Sequence, residues 1–195
     1  GFIPTSDLAA ATAGVGTNVA TEAGSTAGAV TRNAVTRGFG AAQESGAVSA
    51  QFAEKSLERT TRAFGEGAQL SEIPEGTTLW RAHTADGRPI SNWVSDLPPP
   101  DLTNPAAAAR YFQDVNLPSN TSPSSLVLSE LKTTKPLQSI QGTVSPELLD
   151  RATNTFYSVE GAGGGQQRFL LQDLNTLGDS VQVVRTGDAA LSKIG

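Results

Sequence analysis

The sequence predicts an α+β protein, with a small mixed or antiparallel sheet core preceded by a small-residue-rich, partly helical segment. Three observations carry this. From residue 77 onward, short runs rich in β-branched and aromatic residues alternate with irregular loops holding Pro and Gly. Few helical patterns interrupt these runs, and no regular strand–helix–strand repeat appears, which argues against a doubly wound fold. Residues 1–70 differ in composition from the rest, and the predicted organisation is a linker or helical segment over 1–70 followed by a catalytic domain over 71–195.

Taken in order, the first segment reads "LAAATAGVGTNVATEAGSTAGAVTRNAVTRGFGAAQ". Large apolar side chains are scarce there, so alone it buries too little surface to offset its ordering entropy. It is expected to be a linker, or weak helices packed on something else. In "ESGAVSAQFAEKSLERTTRAF" (44–64), Ala53, Leu57 and Phe64 share one helical face with Phe52 beside them, which predicts an amphipathic helix docked on the second half. "TTLWRAH" (77–83) has strand composition, and "DGRP" then turns. "SDLPPPDLTNP" is a loop, because proline removes backbone donors. Asn104 before Pro105 is a cap followed by proline at the first helical position, opening the helix "AAAARYFQ". "SSLVLSELKT" (124–133) and "KPLQSIQGTV" are expected to be extended. Ser145 and Pro146 are expected to start a short helix, "PELLDRA", and the strands "QRFLLQDL" and "SVQVVRTG" (180–187) follow the glycine-rich loop.

Composition removes several function classes. The formal net charge is −5, and Lys and Arg form no basic run, so nucleic acid is not the expected partner. The absence of Cys excludes disulfides and thiolate chemistry, and a single His excludes a histidine-rich metal centre, so no metal site is predicted. No stretch approaches the length of a membrane span. The start, "GFIPTSDL", has neither a charged n-region nor a long apolar run, so it is read as a piece of something longer rather than a signal peptide.

Nucleotide-binding loops, nucleophile elbows and metalloprotease helices are missing. What remains is a set of single residues. Strand alternation puts Arg81 and His83 on one face of "LWRAH", with Trp80 and Ala82 on the other. A half-buried Arg needs a partner: either a phosphate or carboxylate ligand held by its guanidinium fork, or a loop carboxylate in a structural ion pair. Trp93 either stacks on a ligand ring or plugs the core. Glu130 is either a desolvated catalytic carboxylate or a solvent-face charge on an alternating strand. In "EGAGGGQQRFLL" (160–171), Gly164 and Gly165 would let the backbone approach a ligand closely, and Gln166 and Gln167 would place amides at the junction. A glutamine amide donates and accepts but carries no charge, so it suits positioning rather than proton abstraction. The alternative is a plain hairpin loop.

The stretch "ELKTTKPLQSIQGTVSPELL" followed by "GAGGGQQRFLL" resembles the C-terminal half of the tuberculosis necrotising toxin family of NAD glycohydrolases. The matching positions are Lys135, Pro136 and Leu137, then Gly142, Val144 and Pro146, then Gly163, Gly164, Gly165 and Gln167. The resemblance spans roughly residues 77–175. It implies that Gln167 is catalytic and that Arg81 contacts the NAD phosphates, with His83, Trp93, Gly164, Gly165 and Gln166 around the ligand and Trp93 or Phe112 stacking on nicotinamide. NAD or NADP would be the substrate, with no separate cofactor. The family histidine before the "KPL" strand has no counterpart, and Ser95 and Asp96 replace its second arginine. The chain is also similar to the wider ADP-ribosyltransferase superfamily, whose fold the resemblance implies. There Arg81 would be the first element and Ser91 or Ser95 the second, but glutamine stands where those transferases carry glutamate. Both families commonly occupy the C-termini of large secreted bacterial toxins. The resemblance therefore implies a secreted toxin domain acting in a target cell's cytoplasm, an immunity protein as partner and, for a transferase, a target protein. A non-catalytic interaction domain is the reading from another class.

Overall fold

The computed structural model describes residues 19–65, 67–115 and 126–188. The small-residue stretch before residue 19 lies outside them. The chain is α+β, and every strand pairing is antiparallel. Helix α1 (Val19–Glu44) is followed by α2 (Ala50–Ala63), whose first turn is capped by Ser49 Oγ accepting from Phe52 N at 3.1 Å. Then come β1 (Gln69–Ile73), β2 (Thr78–Thr84), β3 (Trp93–Val94), α3 (Pro105–Asp114), β4 (Leu126–Thr133), β5 (Leu137–Thr143), β6 (Glu147–Asp150), β7 (Thr155–Ser158), β8 (Gln166–Leu170), a 3-10 helix (Leu174–Asp179) and β9 (Val181–Asp188). Asn104 caps α3 as its sequence predicts, accepting from Ala106 N and Ala107 N, with Pro105 at the first turn.

The strands form a four-stranded sheet in the order β1-β5-β8-β3, a three-stranded sheet β2-β4-β9, and the β6–β7 hairpin. A bridge between Trp80 and Ser95, with both N···O distances 2.9 Å, ties the first two sheets together. Alternation then sets the layers. In β8, Phe169 joins a core with Val35, Phe39, Ala53 and Ile140 beneath α1 and α2. Its neighbour Leu170 faces the other way, into a core with Ile73, Leu79, Leu131, Leu137 and Val181 between the sheets. A third cluster, of Leu102, Ala108 and Leu128, lies under α3, with Trp80 and Tyr111 against it.

The small residues of α1 have a use that composition alone does not show. A Cβ on Gly38 would stand 2.7 Å from Leu70 Cδ2 and 3.0 Å from Leu171 Cδ1, so the bare backbone lets the helix lie close on the sheet. The hydrophobic core therefore runs across residue 70: Val35, Phe39 and Ala42 of α1 share it with Ile140 and Phe169. As expected, α2 docks on the second half, with Ala53 buried and Phe52 and Leu57 packed against the same cluster.

Two elements differ from expectation. "PELLDRA" is not a helix. Glu147–Asp150 is β6, paired with β7 through Leu148↔Tyr157 and Leu149↔Phe156, and Asn154 at φ +56° helps close the turn. A helix of two turns is marginal in water, and cross-strand pairing with the next segment outcompetes it. "QRFLLQDL" is a strand only to Leu170, after which Asp173 leads into the 3-10 helix. β1, which no sequence signal predicted, covers the edge of β5.

Candidate active site

Between α2, the β2–β3 region, the β6–β7 hairpin and the start of the 3-10 helix lies a cleft of about 1260 Å³. Arg81, Trp93 and Gln167, three of the residues singled out by sequence, all line it. Their convergence follows from the strands that carry them. β3 pairs with β8 through Trp93↔Phe169, two positions from Gln167, and the Trp80–Ser95 bridge brings β2 alongside.

Arg81 is half-buried on β2. Its Nε donates to the Arg88 carbonyl and its Nη1 to the Trp93 carbonyl, both at 3.0 Å. Among the described residues no carboxylate lies within ion-pair distance of it. Burial lowers its pKa from the ordinary value, and the nearby Tyr111 hydroxyl acts the other way. A guanidinium stays protonated at neutral pH, so the cleft floor holds a partly desolvated cation neutralised only by carbonyl dipoles. Burial in turn pushes the Tyr111 hydroxyl up to about 12, so Tyr111 stays neutral beside it.

Trp93 packs into the core and also faces the cleft. Its ring packs on Phe64 at 5.2 Å and edge-on to Phe169 at 5.1 Å between centroids, while part of it lines the cleft. The loop before it is fixed by buried Asn92, whose Nδ2 donates to the Leu170 and Gln172 carbonyls at 2.8 and 2.9 Å.

The two glutamines part company because strand neighbours face opposite ways. Gln166 is exposed, and its Nε2 donates to Thr143 Oγ1 at 2.9 Å, away from the cleft. Gln167 lines the cleft and makes no side-chain hydrogen bond to the described residues.

The glycines are not brought to the cleft. Gly163 N, Gly164 N and Gly165 N donate to the carbonyls of Gln113, Val144 and Asp114 at 2.6, 2.9 and 2.9 Å. A Cβ on Gly163 (φ +94°) would stand 2.7 Å from the Val144 oxygen. The close approach that the glycine-rich loop makes is to the chain's own backbone, where it laces the end of α3 to the end of β5 and so fixes the register in which Gln167 enters β8.

His83 does not reach the cleft either. It is 8% exposed and sits within the three-stranded sheet. Its Nδ1 lies 2.8 Å from the Thr84 carbonyl, which can only accept, so Nδ1 donates. Nε2 then accepts from Ser129 Oγ at 2.8 Å, and Ser129 Oγ lies 2.8 Å from Thr186 Oγ1. Glu130 is held by Arg185 on the neighbouring strand at 2.6 Å and is also outside the cleft. Phe112, on α3, packs against the cluster of Leu102, Ala108 and Leu128, and its neighbour Tyr111 lines the cleft instead. The sequence reading gave no role to Tyr111, to Asn92 or to the α2 face. A helix pattern shows which residues share a face, but not which of two aromatic neighbours meets a ligand.

The fold and its site thus define an α+β protein whose cleft combines aromatic walls, a half-buried cation with no carboxylate partner among the described residues, and an amide with no side-chain hydrogen bond to them. No family model matches the chain, and no curated protein matches it. Among solved structures, a chain of the "Structure of Tse6 in complex with Tsi6" aligns with a TM-score of 0.48 at 17% identity, covering 82% of this chain and 97% of that chain. Similarity at this level assigns no role to any residue. Among the described residues, no helix is long and apolar enough to cross a membrane, and no group of three His, Cys, Asp or Glu stands together as a metal site.

Proposed function

We propose that this protein is an NAD(P) glycohydrolase toxin domain that cleaves the nicotinamide–ribose bond and depletes the dinucleotide in the cytoplasm of a target cell. The observation that carries the reading is the convergence of Arg81, Trp93 and Gln167 on one cleft, from three strands, after each was singled out independently in the sequence. The resemblance of roughly residues 77–175 to the toxin family supports the choice of substrate.

The chemistry asks little of the protein in proton transfer. As the C1′–N bond breaks, its electrons pass to the pyridinium nitrogen, and nicotinamide leaves neutral. Water adds to C1′ and loses a proton, giving ADP-ribose. The uncharged Gln167 amide accepts from that water or donates to the ribose, fixing the angle of attack. Arg81 holds a diphosphate oxygen in place of the carboxylate it lacks. Trp93 flanks the nicotinamide ring. No general acid is required at the leaving group, because nicotinamide departs neutral. An immunity protein that plugs this cleft would be the expected partner.

Incubating the purified chain with NAD and with NADP and following nicotinamide release tests the reading. Release at catalytic turnover supports it, and no release from either at high enzyme concentration rejects it. One observation also favours transfer: Ser91, one of the two candidates for the transferase serine, lines the same cleft. Labelled NAD in a lysate separates the two, with labelled protein indicating transfer and free ADP-ribose hydrolysis.

A further inference from the structure

The cleft carries a charge opposite to that of the chain. The whole sequence has 14 Lys and Arg against 19 Asp and Glu. The cleft lining has five cations against three carboxylates, Glu54, Glu147 and Asp173. Two of those three are engaged: Glu147 with Arg62 at 2.7 Å, and Asp173, whose Oδ1 accepts from Ser49 N at 3.1 Å. Arg81 and Arg88 account for the cations near the β2–β3 floor. The other three, Lys55, Arg59 and Arg151, stand on the wall formed by α2 and the hairpin.

That wall is built so that its cations gather. Lys55, Arg59 and Arg62 recur at i, i+4 and i+7, hence on one face of α2. Arg62 clamps the helix to the hairpin. It bonds Glu58 at 3.1 Å and Glu147 at 2.7 Å, and its guanidinium lies 4.7 Å from the centroid of the Phe156 ring. The clamp holds α2 against β6, and Arg151 is the residue that follows that strand. Both arginines line the cleft, and among the described residues neither has a carboxylate within ion-pair distance. Burial, and then the charge of Arg151, lower the pKa of Arg59 from its ordinary value. Two like charges held on one wall, beside an arginine bonded to two acids, is the arrangement that a multiply charged oxyanion relieves.

We propose that Arg59 and Arg151, with Lys55 one turn away, form a second anion subsite that takes the 2′-phosphomonoester of NADP, making NADP the preferred substrate. This rests on the glycohydrolase reading and deepens it. The diphosphate goes to Arg81, and the wall selects a ligand with a further phosphate separated from it. The cleft, of about 1260 Å³, has room for an extended dinucleotide.

Two measurements test it. The first is kcat/KM for nicotinamide release from NADP and from NAD. One charge-assisted contact predicts a ratio of about tenfold or more in favour of NADP. In Arg59→Gln and Arg151→Gln the ratio falls toward one, Arg59→Lys recovers part of it, and thermal unfolding checks that each variant is folded. A wild-type ratio near one, or a ratio unmoved by either glutamine variant in folded protein, overturns the subsite. The second is calorimetric binding of adenosine 2′,5′-bisphosphate against AMP, which needs no turnover. Tighter binding of the bisphosphate that is lost in Arg59→Gln supports the subsite even if no nicotinamide is released, an outcome that would reject only the glycohydrolase reading. Equal binding of the two nucleotides overturns the subsite whatever the activity.

Discussion

Gln166 and Gln167 are chemically identical, so only their places on the strand distinguish them. Gln167 faces the cleft with its amide unbonded to the described residues, and Gln166 is turned to Thr143. Gln167→Ala is therefore expected to lower kcat about 100-fold, the effect of a misplaced reacting group, with little change in thermal stability. Gln166→Ala should leave kcat within about twofold, since one exposed neutral hydrogen bond is worth only about 1 kcal/mol to the fold. Nicotinamide release by the two variants under identical conditions decides this, and equal losses would place the role elsewhere. His83 makes a different prediction. Burial, then the Arg81 charge, lower its pKa from the ordinary 6.5, with its bond to the Thr84 carbonyl acting the other way. The folded state thus binds its proton less readily than the unfolded chain does. The resulting stability is full above about pH 6.5 and is lost as pH falls toward the folded pKa. The melting temperature should fall between pH 7 and pH 5.5, and the fall should be shallower in His83→Asn. An identical pH slope in that variant would mean that other groups carry it.

At the scale of elements, the glycine-rich loop shows how a correct local signal can point to the wrong neighbour. The sequence shows that the backbone there must come close to something, and the structure supplies the chain's own carbonyls at Gln113, Val144 and Asp114. Gly163→Ala would force a Cβ to within 2.7 Å of the Val144 oxygen at φ +94°. It should cost about 3 kcal/mol in urea unfolding, from the left-handed backbone together with the contact. Gly164 has nothing within 4 Å of a Cβ, so alanine there meets only the backbone penalty of its φ of +100° and should cost less. Equal losses would show that lacing α3 to β5 is not what the loop does. The strands β2, β4, β5, β8 and β9 and the helix α3 were legible because alternation, a proline at the helix start and β-branched runs are local signals. β6 was not, because Pro146 gives a helix-start signal that only pairing with β7 overrides. The cleft was half legible for the same reason. Arg81, Trp93 and Gln167 sit on strands, whereas the α2 face and Tyr111 join them only through tertiary packing.

At the scale of the whole molecule, the question is whether residues 1–70 are an appendage, as composition predicts, or part of what folds. Val35, Phe39 and Ala42 of α1 are all at most 4% exposed, in one cluster with Ile140 and Phe169. Phe39 packs in tilted contacts 6.4 Å from Phe52 and 5.7 Å from Phe169, centroid to centroid. Phe169 touches Trp93, which lines the cleft, so the path from α1 to the site is a chain of three aromatic rings joined by two contacts. Phe39→Ala should therefore cost about 3–5 kcal/mol, a large share of the ~5–15 kcal/mol of a typical domain. A chain beginning at Ser71 would also lose the first two residues of β1, uncovering part of the edge of β5, and both helices that cover the four-stranded sheet. It should bind the dye ANS and show no cooperative melting transition, whereas the full chain melts cooperatively. If the shortened chain instead unfolds in one sharp transition near the melting temperature of the full chain, α1 and α2 are dispensable, and the boundary at residue 70 is a true domain boundary.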